Sequence, residues 1–156
     1  MTGERSEVAI VGGGPVGLTA AIALAEAGVE VALIAPKPAD DHRTTALLAG
    51  SVTALDTLGI WARCRELAAP LRVMRLVDVT ARLIRAPEVS FSAGEIGLEA
   101  FGYNIENRNL LAALDARAAE TLAARLDSHL ASGGIAVLTS HQPVGLRART
   151  SALALS

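Results

Sequence analysis

The chain has 156 residues, of which 51% are hydrophobic and 19% are charged, and its formal net charge is −2. This length fits one domain, or one domain with part of a second, and the composition excludes an intrinsically disordered chain. The small net charge gives no electrostatic reason to expect nucleic acid as a partner. The single cysteine, Cys64, excludes an internal disulfide framework, so the cytoplasm, with or without peripheral membrane contact, is the expected location.

The first predicted elements lie in a run without charge from Val8 to Ala25. A run of this length would suit a membrane helix. However, VAIV is β-branched, GGGP breaks the backbone, and a helix-forming stretch begins only after it. The residues before the run, MTGERSE, carry more acid than base, whereas a signal peptide begins with positive charge. We therefore expect a strand, a loop and a helix here, and no transmembrane segment.

A β–α–β unit is predicted from this start of the chain. The strand EVAIV is followed by the loop GGGPVG, the helix VGLTAAIALAEA, a terminating Gly28 and a second apolar strand, VEVALIA. The two strands should be parallel. The predicted fold class is therefore α/β, with a Rossmann-like FAD- or NAD(P)-binding unit.

Three glycines in this unit, Gly12, Gly14 and Gly17, have the spacing G-x-G-x-x-G. Gly12 permits a tight turn, Gly14 lets a pyrophosphate approach the backbone, and Gly17 lets the helix and the strand pack closely. Pro15 suits the first turn of the helix, whose N–H groups would face the phosphates. The motif predicts dinucleotide binding but leaves the choice between flavin and nicotinamide open.

The acidic residue that binds a ribose hydroxyl in this motif is missing from the end of the second strand. Ala35 and Pro36 stand at that position, and Asp40 and Asp41 follow only later. The ribose contact is therefore lost, made by the backbone, or supplied from the following loop. Because Lys37 is nearby, the charge of this segment is also compatible with a ribose that carries a phosphate.

A helix is predicted across the segment TTALLAGSVTALDTLG, with Thr44 or Thr45 as its cap and Gly59 at its end. Its apolar residues at helical spacing form a predicted buried face: Leu47, Leu48, Val52, Leu55 and Leu58.

Two or three strands are predicted in the region of about 71–92. Their apolar residues are expected in the core: Val73, Leu76, Val77, Val79, Leu83 and Ile84.

Several blocks together make the chain resemble the flavin-dependent aromatic hydroxylases, and in particular the ubiquinone-biosynthesis hydroxylase branch. The blocks are Gly12-Gly13-Gly14-Pro15-x-Gly17, Asp41-x-Arg43-x-x-Ala46-Leu47, Ser51, Leu58-Gly59-x-Trp61, and FGYNIENRNLLAAL from Phe101 to Leu114. The resemblance covers roughly Glu7 to Leu126. It implies FAD as cofactor, NADH or NADPH as electron donor, and insertion of oxygen from O2 into a small aromatic or quinone-precursor substrate.

The resemblance also implies the cofactor-binding residues. Gly12, Gly14, Pro15 and Gly17 would hold the pyrophosphate, and Arg43 would contact the phosphate and ribityl region. Arg108, at the start of the helix NRNLLAALDARAAETLAARL, would lie near the flavin chain; a surface role for Arg108 is the alternative. No catalytic residue and no metal ligand is predicted. The sequence gives no prediction of the oligomeric state.

The chain is expected to be an N-terminal portion of such an enzyme and to be inactive alone. The family's later Asp-Gly and Gly-Asp motifs are absent, and no acidic residue follows Asp127. Residues 1–127 would form part of the FAD-binding domain, with partial substrate-layer strands at about 71–92. Residues 128–156 would form an atypical tail, disordered or read in a changed frame. Two alternatives stay open: the nicotinamide-binding module of a dehydrogenase, and a non-catalytic nucleotide-binding fragment.

Overall fold

A computed structural model describes residues 6–36, 41–81, 83, 85–136 and 145–147. The chain divides into two compact units. One contains Met1–Pro38 and Leu114–Ser156, and we call it the terminal unit; the other is Ala39–Ala113, the central unit.

The terminal unit begins with the β–α–β arrangement that the sequence predicts. Strand β1 (Val8–Val11) leads into helix α1 (Pro15–Glu26), and strand β2 (Val31–Ile34) follows. β1 and β2 pair in parallel. Leu18 and Ile22, one turn apart on α1, are buried. The predicted parallel strand pair and the α/β class are therefore confirmed.

Helix α1 ends where the sequence places its terminating glycine. Gly28 has a φ of +92°, a conformation that L side chains rarely adopt, and its N–H donates to the carbonyl of Ala25 at 3.1 Å. The long helix α3 (Asn107–Ala131) has residues in both units. In the terminal unit, its Arg117 forms an ion pair with Glu26. This pair ties α3 to the last turn of α1.

The central unit is built around a three-stranded antiparallel sheet. Its order is β3 (Thr44–Leu48), β7 (Gly102–Glu106) and β4 (Ala69–Pro70), and helix α2 (Ala49–Thr57) follows β3 directly. Single 3₁₀ turns cover Trp61–Arg63, Arg65–Leu67 and Ala93–Ile96. The buried apolar residues of this unit are Leu47, Leu55, Ile60, Cys64, Ala93, Ile105, Leu110 and Ala113.

The prediction of one helix across residues 44–58 is wrong in its first part. Thr44–Leu48 is strand β3, paired with Gly102–Glu106, and the helix begins only at Ala49. Neither predicted threonine caps it, because Leu48 is the N-cap residue. Leu47 and Leu55 are buried as expected, but Leu48 is exposed. The predicted end of the helix is right, since Gly59 follows with a φ of +68°.

The central unit also contains a two-stranded antiparallel sheet, β5 (Val73–Leu76) with β6 (Val89–Ser92). The prediction of strands in this region is confirmed, but the prediction that their apolar residues lie in a core is wrong. Val73 and Leu76 are more than half exposed, as are Val79 and Leu83 in the following loop. Within the described residues, no further strand joins this sheet. Ile84 lies outside the described residues.

Two other expectations concern a transmembrane segment and the tail of the chain. No helix among the described residues combines the length and the apolar character needed to cross a bilayer. Of the predicted tail, residues 137–144 and 148–156 lie outside the described residues, and residues 134–136 are in neither a helix nor a strand. Helix α3 continues through Asp127 to Ala131.

Candidate functional site

The glycine loop between β1 and α1 lies in the terminal unit. Gly12 has a φ of +117°, which strains any side chain there, and its N–H donates to the carbonyl of Ile34 at 2.9 Å. The chain therefore turns sharply at Gly12 while still bonded to the end of β2. Pro15 is at the first helical position, where the missing N–H breaks no helical hydrogen bond.

The other two glycines of the motif differ in the space around them. A Cβ added at Gly17 would lie 1.9 Å from the carbonyl oxygen of Gly12, so the helix approaches the loop too closely for a side chain. A Cβ added at Gly14 would have no neighbour within 4 Å. The backbone at Gly14 is thus open on the side where a side chain would stand.

Among the described residues, no side chain caps the first turn of α1. The N-cap residue is Gly14, and the first turn contains no acidic residue. The first N–H groups of a helix have no acceptor within the helix and carry a partial positive charge. An anion placed at this turn would satisfy them.

Ala35, the residue that follows β2, lies beside the glycine loop. A Cβ added at Gly13 would lie 2.7 Å from the Cβ of Ala35, so Ala35 is next to the loop. An acidic side chain here would be close to a ligand of the loop, and alanine cannot supply the ribose contact. Asp40 and Lys37, two residues considered for the ribose, lie outside the described residues.

Arg43, in the central unit, is held by a nearby carboxylate. Its Nε donates to Oδ1 of Asp41 at 2.9 Å, and its Nη2 donates to Oδ2 at 2.8 Å. The hydrogen bond from the Arg43 side chain is the main reason that the pKa of Asp41 is well below its ordinary value. The same pair raises the pKa of the guanidinium. Asp41 therefore uses much of its acceptor capacity on Arg43, which leaves less of it for a ribose hydroxyl.

Two residues that were not predicted to bind the cofactor complete this cluster. Nδ2 of Asn107 donates to Oδ2 of Asp41 at 2.8 Å, and the hydroxyl of Thr45 donates to Oδ1 of Asn107. Two signals pointed to Asn107: it lies in the block from Phe101 to Leu114 that carries the family resemblance, and asparagine is favoured at helix starts. Its partner Asp41 is 66 residues away in the chain, and no local pattern encodes such a contact.

Arg108 follows Asn107 at the start of α3, as predicted. Its backbone N–H donates to the carbonyl of Asp41 at 3.1 Å, so Arg43 and Arg108 belong to one cluster. The Nε of Arg108 lies 2.6 Å from Oε2 of Glu106, and about half of the arginine side chain is exposed. Among the described residues, no group of three or more metal-ligating side chains is present.

The six residues predicted to bind the cofactor thus fall into two groups. Gly12, Gly14, Pro15 and Gly17 form one loop in the terminal unit, and Arg43 and Arg108 flank Asp41 in the central unit.

A parallel strand pair joined by a glycine loop and an uncapped helix start defines a Rossmann-like dinucleotide-binding α/β protein. The family described as FAD binding domain matches residues 5–142. The chain therefore belongs to the FAD-binding domain family, and the cofactor of that family is FAD.

Two curated relatives are hydroxylases. The chain is 37% identical over 124 residues to 3-demethoxyubiquinol 3-hydroxylase of Escherichia coli (strain K12), covering 73% of this chain and 30% of the relative. It is 34% identical over 136 residues to ubiquinone hydroxylase UbiL of Rhodospirillum rubrum, covering 81% of this chain and 30% of that protein. The chain thus spans 30% of the length of these relatives.

A solved structure agrees with these relatives. The flavin-dependent monooxygenase PieE, crystallised with FAD and substrate, is 27% identical to this chain with a TM-score of 0.58. The match covers 76% of this chain and 22% of PieE. The resemblance to flavin-dependent hydroxylases that the sequence motifs indicate is therefore confirmed.

Proposed function

We propose that this chain supplies the part of an FAD site that binds the ADP side of the cofactor, within a flavin-dependent aromatic hydroxylase. The observation that carries the proposal is the glycine loop: Gly12 turns the chain, Gly14 leaves the backbone open, and the first turn of α1 has uncapped N–H groups. A pyrophosphate needs this combination of open backbone and unpaired donors.

The loop also leaves space for the proposed ligand and carries no charge that would repel it. A side chain at Gly14 would stand in open space, so a phosphate can come close to the backbone at that point. The loop holds no carboxylate, which would repel a phosphate. Gly12, Gly14, Pro15 and Gly17 would shape and hold the pyrophosphate site, and Arg43 and Arg108 would supply cationic donors. Bound FAD would supply the redox chemistry that brings O2 into the reaction.

A nicotinamide-binding module is the second candidate, because the glycine motif alone is shared by both cofactors. Many nicotinamide sites bind the ribose through an acidic residue at the end of the second strand. This chain has Ala35 at that position, which does not favour a nicotinamide-binding module. Arg43, held by Asp41 in the Asp-x-Arg segment, favours flavin.

The proposed substrate is a small aromatic ring, and a quinone precursor in particular, on the strength of the names of the two hydroxylase relatives. Reduced nicotinamide and O2 would be the other reactants. These statements concern the whole enzyme. Each of the two relatives is more than three times as long as the part that matches this chain. The proposed division of the chain near Asp127, and a cytoplasmic location, also remain proposals.

The test is to purify the chain, add FAD, remove unbound ligand and measure the flavin absorbance that stays with the protein. We expect retained FAD, and no displacement of it by NADH in large excess. Displacement by NADH would favour the dehydrogenase module, and a colourless protein would favour a fragment without a nucleotide site. We also expect no hydroxylation of an aromatic compound by the chain alone; turnover with NADPH and O2 would overturn that expectation.

A further inference from the structure

Asp41 accepts four hydrogen bonds, although it lies in a segment without regular structure before β3. Three come from Arg43: from the backbone N–H to Oδ1 at 3.0 Å, and from Nε and Nη2 at 2.9 and 2.8 Å. The fourth comes from Asn107. The Asp41 side chain is 21% exposed and that of Arg43 is 84% exposed. A largely covered carboxylate therefore holds a guanidinium that otherwise extends into solvent.

The carboxylate is itself fixed from two sides. A carboxylate only accepts, so Asn107 must direct its NH2 group to Asp41, and its carbonyl oxygen then accepts from Thr45. The main chain adds two bonds, from Asn107 N–H to the Arg43 carbonyl at 2.8 Å and from Arg108 N–H to the Asp41 carbonyl at 3.1 Å. Asp41 thus has a fixed position relative to the start of α3.

We propose that Asp41 is a positioning residue, which holds the Arg43 guanidinium in one orientation for an anionic group of the cofactor. This inference rests on the proposed function for the identity of that ligand, FAD. The two side-chain bonds to Asp41 use Nε–H and one N–H of Nη2. A guanidinium has five N–H donors; among the described residues none accepts from the two on Nη1 or from the second on Nη2, and these three are available to the anion.

Two effects of Asp41 on anion binding oppose each other. Its negative charge reduces the attraction of Arg43 for a phosphate, but at an exposed guanidinium, water and salt screen that loss. Its two parallel bonds also restrict a long side chain, so that less conformational freedom is lost when the ligand binds. Orientation should dominate, and replacing Asp41 should weaken binding of FAD on the order of tenfold.

The first test observes the orientation without any ligand. In the ¹⁵N-labelled chain, we expect the Arg43 Nε–H to exchange with water on the order of tenfold more slowly than in Asp41→Asn, because the amide cannot accept the paired bond in the same way. Asp78→Asn is the matched control: Asp78 is also half-buried and accepts N–H bonds, from Thr80 and Ala86, but from no guanidinium of the described residues. Equal exchange in the wild type and Asp41→Asn would overturn the proposal.

The second test is a double-mutant cycle on the affinity for FAD, with Arg43→Ala as the second change. If Asp41 acts through Arg43, Asp41→Asn weakens binding in the wild type and has no further effect when Arg43 is alanine. An equal loss in both backgrounds would mean a general structural role and would overturn the proposal, as would tighter binding by Asp41→Asn. A wild-type chain that does not bind FAD would count against the proposed function, and the exchange measurement would then decide this inference alone.

Discussion

Replacing Gly17 by alanine should destabilise the terminal unit, although alanine is the better helix former. The added Cβ would lie 1.9 Å from the Gly12 carbonyl oxygen, against 3.4 Å for ordinary contact. The clashing atom belongs to the backbone and cannot rotate away, so the loop or the helix must move. Such overpacking costs about 1–3 kcal/mol, and the gain in helix propensity offsets at most ~1 kcal/mol. Because the clash is with backbone, the upper end of that cost applies, and we expect a net loss of about 2 kcal/mol in the free energy of unfolding.

Gly50→Ala is the matched control for this prediction. Gly50 is also in the first turn of a helix, α2, but a Cβ added there would have no neighbour within 4 Å. It should leave stability unchanged or raise it by up to ~1 kcal/mol. Urea unfolding followed by circular dichroism measures both variants. If Gly17→Ala is as stable as Gly50→Ala, the close approach of helix and loop is refuted.

Three further results are expected from single changes or conditions. Gly12→Ala should cost about 1–3 kcal/mol in urea unfolding because of the positive φ, whereas Gly14→Ala, at the N-cap of α1, should cost less than ~1 kcal/mol and weaken FAD binding; equal losses would contradict the loop geometry. Because the pKa of Asp41 is lowered in the folded chain, its contribution to stability is fully present above the ordinary value of ~3.9 and is lost as the pH falls toward the folded pKa. The ¹³C titration of its carboxyl should therefore have a midpoint below ~3.9, and a midpoint at or above that value would count against the pair. Burial raises the pKa of the Cys64 thiol, so a disulfide reagent at neutral pH should react with it quickly only in denaturant, and rapid reaction of the native chain would refute its burial.

The elements that could be predicted are those that local residues determine. Glycines and proline fix the loop between β1 and α1, and Gly28 and Gly59 end two helices at the expected places. These features depend on backbone conformations that few residue types allow.

The elements that were missed depend on distant partners. Residues 44–48 form a strand because Gly102–Glu106 pairs with them, and their leucines fit a helical spacing equally well. Arg43 was found from a motif, but its fixation by Asp41 and Asn107 joins segments 66 residues apart. The apolar residues of β5 and β6 resemble a core pattern, yet they are exposed in the described part of the chain.

The proposed function depends on the glycine loop binding the pyrophosphate of FAD. The most direct measurement is a parallel titration of the purified chain with FAD and with riboflavin, which has the flavin ring but neither phosphate nor adenosine, followed by flavin fluorescence. We expect saturable binding of FAD, its loss in Gly14→Ala, and no saturable binding of riboflavin. Equal binding of FAD and riboflavin, or FAD binding that Gly14→Ala leaves intact, would contradict the proposed function.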